Sequence, residues 1–134
     1  MFRRVLIDDE LTGVPLLAGL SKHQLGLATL LSTPLDLPAG QVLARQGATG
    51  AEFFVLLDGD VEVVRSGELV ATRGPGSPLG EMALLGVQPR TATLVARTPV
   101  RVRVASQREF GGLLASVPEI SRRLHLTMAE RLAA

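Results

Sequence analysis

Between residues 80 and 93 the chain combines residue types that suit a small anion. Gly80 allows a close backbone approach that a Cβ atom would block. Residues 81–85 are predicted to form one helical turn ending at Gly86, and the first N–H groups of such a turn lack internal partners and favour an anion. Arg90 adds a planar fork of donors that matches the oxygens of a phosphate. The stretch therefore predicts a site for a small phosphate-bearing ligand.

Each of these residues also has an ordinary structural interpretation. Glu81 could serve only to stabilise the first turn of a helix, and Arg90 could be a surface residue that follows a proline. Thr91 is left open between a ligand contact and a strand residue, whereas Thr93 is predicted to be a strand residue. The functional interpretation is favoured because the parts occur together and in order.

Composition disfavours other kinds of site. The 134 residues contain no cysteine and only two histidines, His23 and His125, so neither a disulfide, a metal site nor a cupin-like centre is predicted. No spacing suggests a catalytic set, and the protein is not expected to be an enzyme. The net charge of +1 gives no case for direct binding of nucleic acid. Without a signal peptide or an apolar span, a cytoplasmic protein with no membrane contact is expected.

The elements that position the stretch are predicted to be a helix, a β-roll and further helices. Residues 1–13 are expected to form a loosely tethered leader, and residues 14–134 one domain. Ser21 and Gln24 match a capping box for a helix over residues 22–31. Short β-branched runs punctuated by glycine and proline predict about seven or eight strands over residues 35–105, including the alternating run that begins at Val100.

Local signals refine this layout. Asp58-Gly59-Asp60 predicts a hairpin, while Ser106 and Pro118 are predicted to begin the C-terminal helices, over residues 106–133. The fold class is therefore mostly β with flanking helices: a jelly-roll-like double-stranded β-helix with an N-terminal helix and C-terminal lid helices. One apolar stripe on the last helix is interpreted first as a packing face and second as a seam for a homodimer. Its members are Ile120, Leu124, Met128 and Leu132.

The run from Gly80 to Leu85, followed by Pro89-Arg90-Thr91-Ala92-Thr93, resembles the phosphate-binding cassette of the cyclic-nucleotide-binding domain family. Catabolite activator protein and the regulatory subunit of protein kinase A are of this type. The resemblance extends over nearly the whole chain and includes the helix order and the turn glycines of the roll. The ligand-binding residues that it implies are Gly80, Glu81, Met82, Ala83, Leu84, Arg90, Thr91 and Ala92.

The resemblance also implies a role for each group. Glu81 would accept a hydrogen bond from the ribose 2′-hydroxyl, and Arg90 would pair with the exocyclic phosphate oxygens. Amides near Ala83 and Leu84 would contact the phosphate or the sugar. Thr91 would reach the phosphate or the amino group of a guanine.

The expected function is that of a non-enzymatic regulatory module that binds a cyclic nucleotide, with cyclic AMP favoured over the cyclic GMP that Thr91 also allows. No other cofactor is expected, and the protein partner that receives the signal is not identified. The C-terminal helices are expected to close over the ligand about a hinge near Gly111-Gly112. Met128, Arg131 and Leu132 are the candidates for covering the base. The alternatives are an interaction module that has lost the ligand, and the effector domain of a transcription regulator without its DNA-binding part.

Overall fold

The computed structural model describes residues 7–133, in which helices flank a β-roll. The α-helices are α1 (Lys22–Leu30), α2 (Gln107–Ser116) and α3 (Pro118–Ala133), and 3₁₀ helices span Asp9–Gly13, Pro15–Leu17 and Glu81–Leu85. The strands are β1 (Thr33–Leu37), β2 (Val42–Ala44), β3 (Thr49–Gly50), β4 (Phe53–Asp58), β5 (Val61–Arg65), β6 (Glu68–Arg73), β7 (Pro78–Leu79), β8 (Gln88–Pro89), β9 (Thr93–Ala96) and β10 (Val100–Ala105).

The strands form two four-stranded antiparallel sheets. Their orders are β1-β10-β4-β7 and β2-β9-β5-β6, and β3 pairs with β8 in a separate two-stranded ladder. One apolar core lies between the two sheets and contains side chains from both, Leu56 and Val61 among them. The predicted fold class, a β-roll with flanking helices, is confirmed.

In strand β10 the alternation of valine and arginine determines which side chains enter the core between the sheets. Val100 and Val102 are buried in the core between the sheets. Arg103 points to the other face and is also buried, where Asp8 and the C-terminal end of α1 contact it. Its guanidinium donates to Asp8 Oδ2 at 2.8 Å and to the Ser32 carbonyl at 3.0 Å, so the buried donors have partners.

The expectation of a loosely tethered leader over residues 1–13 is wrong for the part that the structure describes. Leu11 is only 2% exposed and belongs to a core that it shares with α2 and α3. Glu10 forms an ion pair with Arg101 at 2.7 Å. The segment is too short to show a hydrophobic period, which is why the pattern missed its docking. Residues 1–6 lie outside the described residues.

The turn at residues 58–60 joins the two sheets and does not close a hairpin, contrary to the prediction. Strand β4 pairs with β10 and β7, whereas β5 pairs with β6 and β9. A Cβ atom on Gly59 would lie 2.3 Å from the Pro99 carbonyl oxygen, so this turn packs closely against the loop between β9 and β10. The two-residue hairpin lies instead at Ser66-Gly67, where both φ angles are positive, as a type I′ turn requires.

The helix boundaries follow their capping signals. Ser21 and Ser106 both form the predicted capping boxes, and α1 ends at Leu30, one residue before the prediction. Helix α2 runs without a break through Gly111-Gly112, and the chain changes direction at Val117, between α2 and α3. The break between these two helices is therefore not at the predicted hinge. In residues 7–133 no helix has the length and apolar character that a membrane span requires.

Candidate functional site

The predicted anion-binding turn is the 3₁₀ helix Glu81–Leu85, which we call the cassette helix. Gly80 enters it with φ +76°, and Gly86 leaves it with φ +87° and donates its amide to the Ala83 carbonyl. The Ala83 amide donates to the Gly80 carbonyl at 2.9 Å, so this amide already has a hydrogen-bond partner within the turn. Both glycines act at this turn as predicted.

Gly80 also determines how close the cassette lies to Arg90. A Cβ atom at Gly80 would lie 2.8 Å from the Glu52 carbonyl oxygen and 3.2 Å from Arg90 Nη1. The first distance is shorter than real Cβ contacts, so only glycine allows this approach. The prediction of a close backbone approach at Gly80 is confirmed.

The Arg90 side chain lies in the wall of the roll, with 9% of its surface exposed. Its Nη2 donates to Glu52 Oε2 at 2.8 Å and to the Glu52 carbonyl at 3.1 Å. The backbone on both sides is fixed, because the Arg90 amide donates to Ala48 and its carbonyl accepts from Gly47. The guanidinium is therefore held in one orientation, and its Nη1 and Nε make no hydrogen bond with residues 7–133.

Glu81 is occupied by a residue from the other end of the chain. Its Oε2 lies 2.7 Å from Arg131 Nη1 of α3, and the two side chains are 15% and 18% exposed. Arg131 was expected only as a candidate for covering the base. The structure shows it instead as a direct link between the C-terminal helix and the cassette.

A hollow of about 600 Å³ lies among the cassette helix, strands β5 and β6, and the last turns of α3. All but one of the predicted ligand-binding residues line it, the exception being Leu84, which packs against the core shared with the helices. The candidates for covering the base, Met128, Arg131 and Leu132, all line it as well. The roll also contributes Val63, Arg65, Ala71, Arg73 and Leu94 to the lining.

A second hollow, of about 620 Å³, lies on the other side of Arg90. It is lined mainly by the segment 40–45 and the loop around Gly50, and Glu52 belongs to it rather than to the first hollow. Of the predicted site residues only Arg90 reaches it. The first hollow is therefore the one that matches the predicted site. Glu52 contacts Arg90 from the side of the second hollow.

Four arginines line the first hollow: Arg65, Arg73, Arg90 and Arg131. Arg65 Nε donates to the Thr91 carbonyl at 3.2 Å. The pKa of Arg73 is lowered, first by burial and then by the nearby charge of Arg131, while the Glu81 carboxylate opposes the shift. Two carboxylates, those of Glu81 and Glu130, also line the hollow, so its lining contains more positive than negative side chains.

The two threonines have different places. Thr91 is exposed at the rim of the hollow, where it stays available to a ligand. The Thr93 hydroxyl accepts a hydrogen bond from the Gln46 amide at 3.0 Å and so stabilises a turn of the roll. The prediction that Thr93 is an ordinary strand residue is confirmed.

Sequence reasoning missed the residue that holds Arg90. Glu52 lies 38 positions before its partner, between glycine-rich turns, and no local pattern marks it. The signal that could have found it is chemical, since a buried guanidinium needs an acceptor. Arg131 was noticed, but its pairing with Glu81 depends on the fold of α3 over the roll.

Comparisons with known proteins identify the relatives of this chain. A family model described as "Cyclic nucleotide-binding domain" matches residues 34–117. The cAMP-dependent protein kinase regulatory subunit of Schizosaccharomyces pombe is 34% identical over 122 residues, which cover 90% of this chain and 29% of that protein. The chain thus spans about a third of the length of the curated relatives that it matches.

Two solved structures share the fold. Thermus thermophilus catabolite activator protein superposes with a TM-score of 0.79 at 27% identity, covering 89% of this chain and 58% of that one. The cAMP-bound PfPKA-R superposes with a TM-score of 0.82 at 26% identity, covering 91% of this chain and 42% of that one. The fold of this chain is therefore shared with proteins of known structure.

Proposed function

The chain belongs to the cyclic-nucleotide-binding domain family, and from this membership we propose that it is a non-enzymatic regulatory module that binds a cyclic nucleotide in the first hollow. The relatives that it matches include regulatory subunits of a cAMP-dependent kinase. The state of the Arg90 side chain is the observation that carries the proposal.

Arg90 is prepared to bind an anion. Most of its surface is buried, Glu52 holds Nη2 from the side of the second hollow, and Nη1 lies beside Gly80 of the cassette. A guanidinium with a fixed orientation loses little side-chain freedom when it binds a phosphate, which favours affinity. One cyclic phosphodiester carries one negative charge, which one guanidinium balances.

Glu81 is the group that recognises the sugar in this proposal. As a carboxylate it accepts a hydrogen bond from a ribose hydroxyl, and it already holds Arg131 of α3. A ligand that contacts Glu81 therefore also contacts the group that anchors α3. Binding is expected to change how firmly α3 lies over the hollow, because a ligand with different affinity for the open and closed forms shifts their populations.

Replacement of Arg90 tests the proposal. In calorimetric titrations with cyclic AMP and cyclic GMP, Arg90→Ala should lose roughly 2–5 kcal/mol of binding free energy, about a 30- to several-thousand-fold loss in affinity, because the phosphate would lose its charged partner. Arg97→Ala is the matched control, since Arg97 is exposed and does not line either hollow.

Two results would contradict the proposal. If the unmodified protein binds neither nucleotide at millimolar concentration, the chain is an interaction module that keeps the fold without the ligand. If Arg90→Ala binds as tightly as Arg97→Ala, the ligand is not anchored at the cassette.

A further inference from the structure

The guanidinium of Arg73 has no hydrogen-bond or ion-pair partner among the described residues. It lies at the end of β6, is half-buried and lines the first hollow. The other guanidinium groups of the hollow each have an acceptor: Glu52 for Arg90, Glu81 for Arg131 and the Thr91 carbonyl for Arg65. Within residues 7–133, the Arg73 side chain forms neither a hydrogen bond nor an ion pair, although its backbone pairs with Val61 of β5.

The surroundings of Arg73 leave its donors available to a ligand. Burial and the charge of Arg131 both disfavour its protonated form, while its strand neighbours on the hollow side are apolar. Ala71 precedes it on the same face of β6, and Val63 lies opposite Ala71 on β5. A guanidinium with five donors at the edge of an apolar surface is suited to an uncharged ring that carries acceptor atoms.

The proposed anchors indicate which part of a nucleotide would lie there. The cyclic phosphate binds at Arg90 and the ribose at Glu81, so the base, attached to the opposite side of the ribose, extends away from Arg90. Arg73 and the apolar side chains of Val63, Ala71 and Leu94 line the same hollow as Arg90 and Glu81. The base would then lie on Val63, Ala71 and Leu94, and its edge would face Arg73.

We propose, building on the proposed function, that Arg73 reads the base and that the hollow prefers a 6-oxopurine such as guanine to adenine. The guanidinium fork presents two parallel donors, and guanine offers two adjacent acceptors, O6 and N7. Adenine offers N7 beside an amino group, so one donor of Arg73 would face another donor. The proposed pairing of Arg73 thus favours cyclic GMP, whereas the sequence alone suggested a preference for cyclic AMP.

Cyclic IMP separates this role from that of Thr91, since it has O6 and N7 but lacks the guanine amino group. Titrations of the full chain with cyclic GMP, cyclic IMP and cyclic AMP should show the two oxopurines binding roughly 5- to 100-fold more tightly than cyclic AMP. Arg73→Met should remove this preference while cyclic AMP affinity changes little. Thr91→Val should leave the ratio of cyclic IMP to cyclic AMP unchanged.

Arg73→Lys gives a second test that keeps the positive charge and loses the fork. Arg73→Lys should also reduce the preference for oxopurines. The inference can therefore still be tested if Arg73→Met folds poorly. Equal binding of all three nucleotides by the unmodified protein, or tighter binding of cyclic AMP, would overturn the inference. An equal loss for all three ligands in Arg73→Met would also overturn it, because Arg73 would then be a phosphate contact.

The failure of this inference is distinguishable from that of the proposed function. Binding that depends on Arg90 but shows no preference for an oxopurine refutes only the role of Arg73. If no cyclic nucleotide binds, the proposed function and the role of Arg73 fail together.

Discussion

At the scale of single residues, two charged pairs prepare the site before any ligand arrives. Glu52 forms an ion pair with Arg90 on the side of the second hollow, and Arg131 of α3 forms an ion pair with Glu81. The two pairs differ in how a ligand uses them. In the proposed complex, the phosphate would reach donors of Arg90 that Glu52 leaves unused, whereas the ribose would share Glu81 with Arg131.

We expect the charge of Glu52 to lower the affinity of the site for an anionic ligand. Its carboxylate is 55% exposed, so the ion pair itself contributes little to folding. In the complex, however, the carboxylate and the phosphate would repel each other across one guanidinium. Glu52→Gln keeps an acceptor for Nη2 and removes the charge, so binding should become roughly two- to fivefold tighter, an effect of up to about 1 kcal/mol.

Glu52→Ala is the comparison for this measurement. It removes both the charge and the side-chain acceptor, so it should bind more weakly than Glu52→Gln. Weaker binding by Glu52→Gln than by the unmodified protein, in the same calorimetric titration, would show that the negative charge itself positions Arg90.

At the scale of elements, the N-terminal segment fastens the helices to the roll. Asp8 joins it to the buried Arg103 of β10, and the carbonyl of Leu16, in the next 3₁₀ helix, accepts a hydrogen bond from Arg123 of α3 at 2.9 Å. The segment thus contacts both the strand at the centre of one sheet and the helix that covers the hollow. Loosening it should destabilise both contacts.

Acid should weaken this connection through Asp8. Burial alone would raise the pKa of Asp8, but the Glu10 amide and the Arg103 and Arg101 guanidinium groups bring that pKa below its ordinary value of 3.8. The unfolded chain therefore takes up this proton more readily, and the stabilisation is complete above about pH 4 and lost as the pH falls further. Asp8→Asn should lose about 1–3 kcal/mol of unfolding free energy at pH 7.

Urea unfolding from pH 7 down to about pH 2.5 measures this contribution. Asp8→Asn should show a smaller loss of stability below about pH 4 than the unmodified protein. Asp36→Asn is the control, because Asp36 is 75% exposed in its pair with Arg101. Glu119, whose pKa falls to about 2 beside Arg122 and Arg123, titrates equally in all three proteins. Identical acid profiles for Asp8→Asn and the unmodified protein would refute the account of Asp8.

What could be predicted from the sequence depends on how local each signal is. The capping boxes at Ser21 and Ser106 and the alternation of β10 act within a few residues, and the structure confirms them. The hairpin predicted at Asp58-Gly59-Asp60 failed because the partner of a strand is chosen by the whole roll. The same limit applies to Glu52 and Arg131, which meet their partners only after distant segments pack.

At the scale of the whole molecule, the hollow joins the cassette helix and the roll to α3, which lies much later in the sequence. The cassette helix supplies Glu81, the roll supplies Arg90 and Arg73, and α3 supplies Arg131. A ligand that contacts all three makes the position of α3 depend on whether the hollow is filled. The module is thus suited to turn nucleotide binding into a change at its C-terminal helix.

Amide hydrogen exchange with and without saturating cyclic nucleotide tests the central claim most directly. The account predicts slower exchange in residues 80–91 and in the last turns of α3, because the ligand would bind the cassette and stabilise the lid over it. Binding that leaves both regions unchanged, or that protects residues 40–45 of the second hollow instead, would contradict the account.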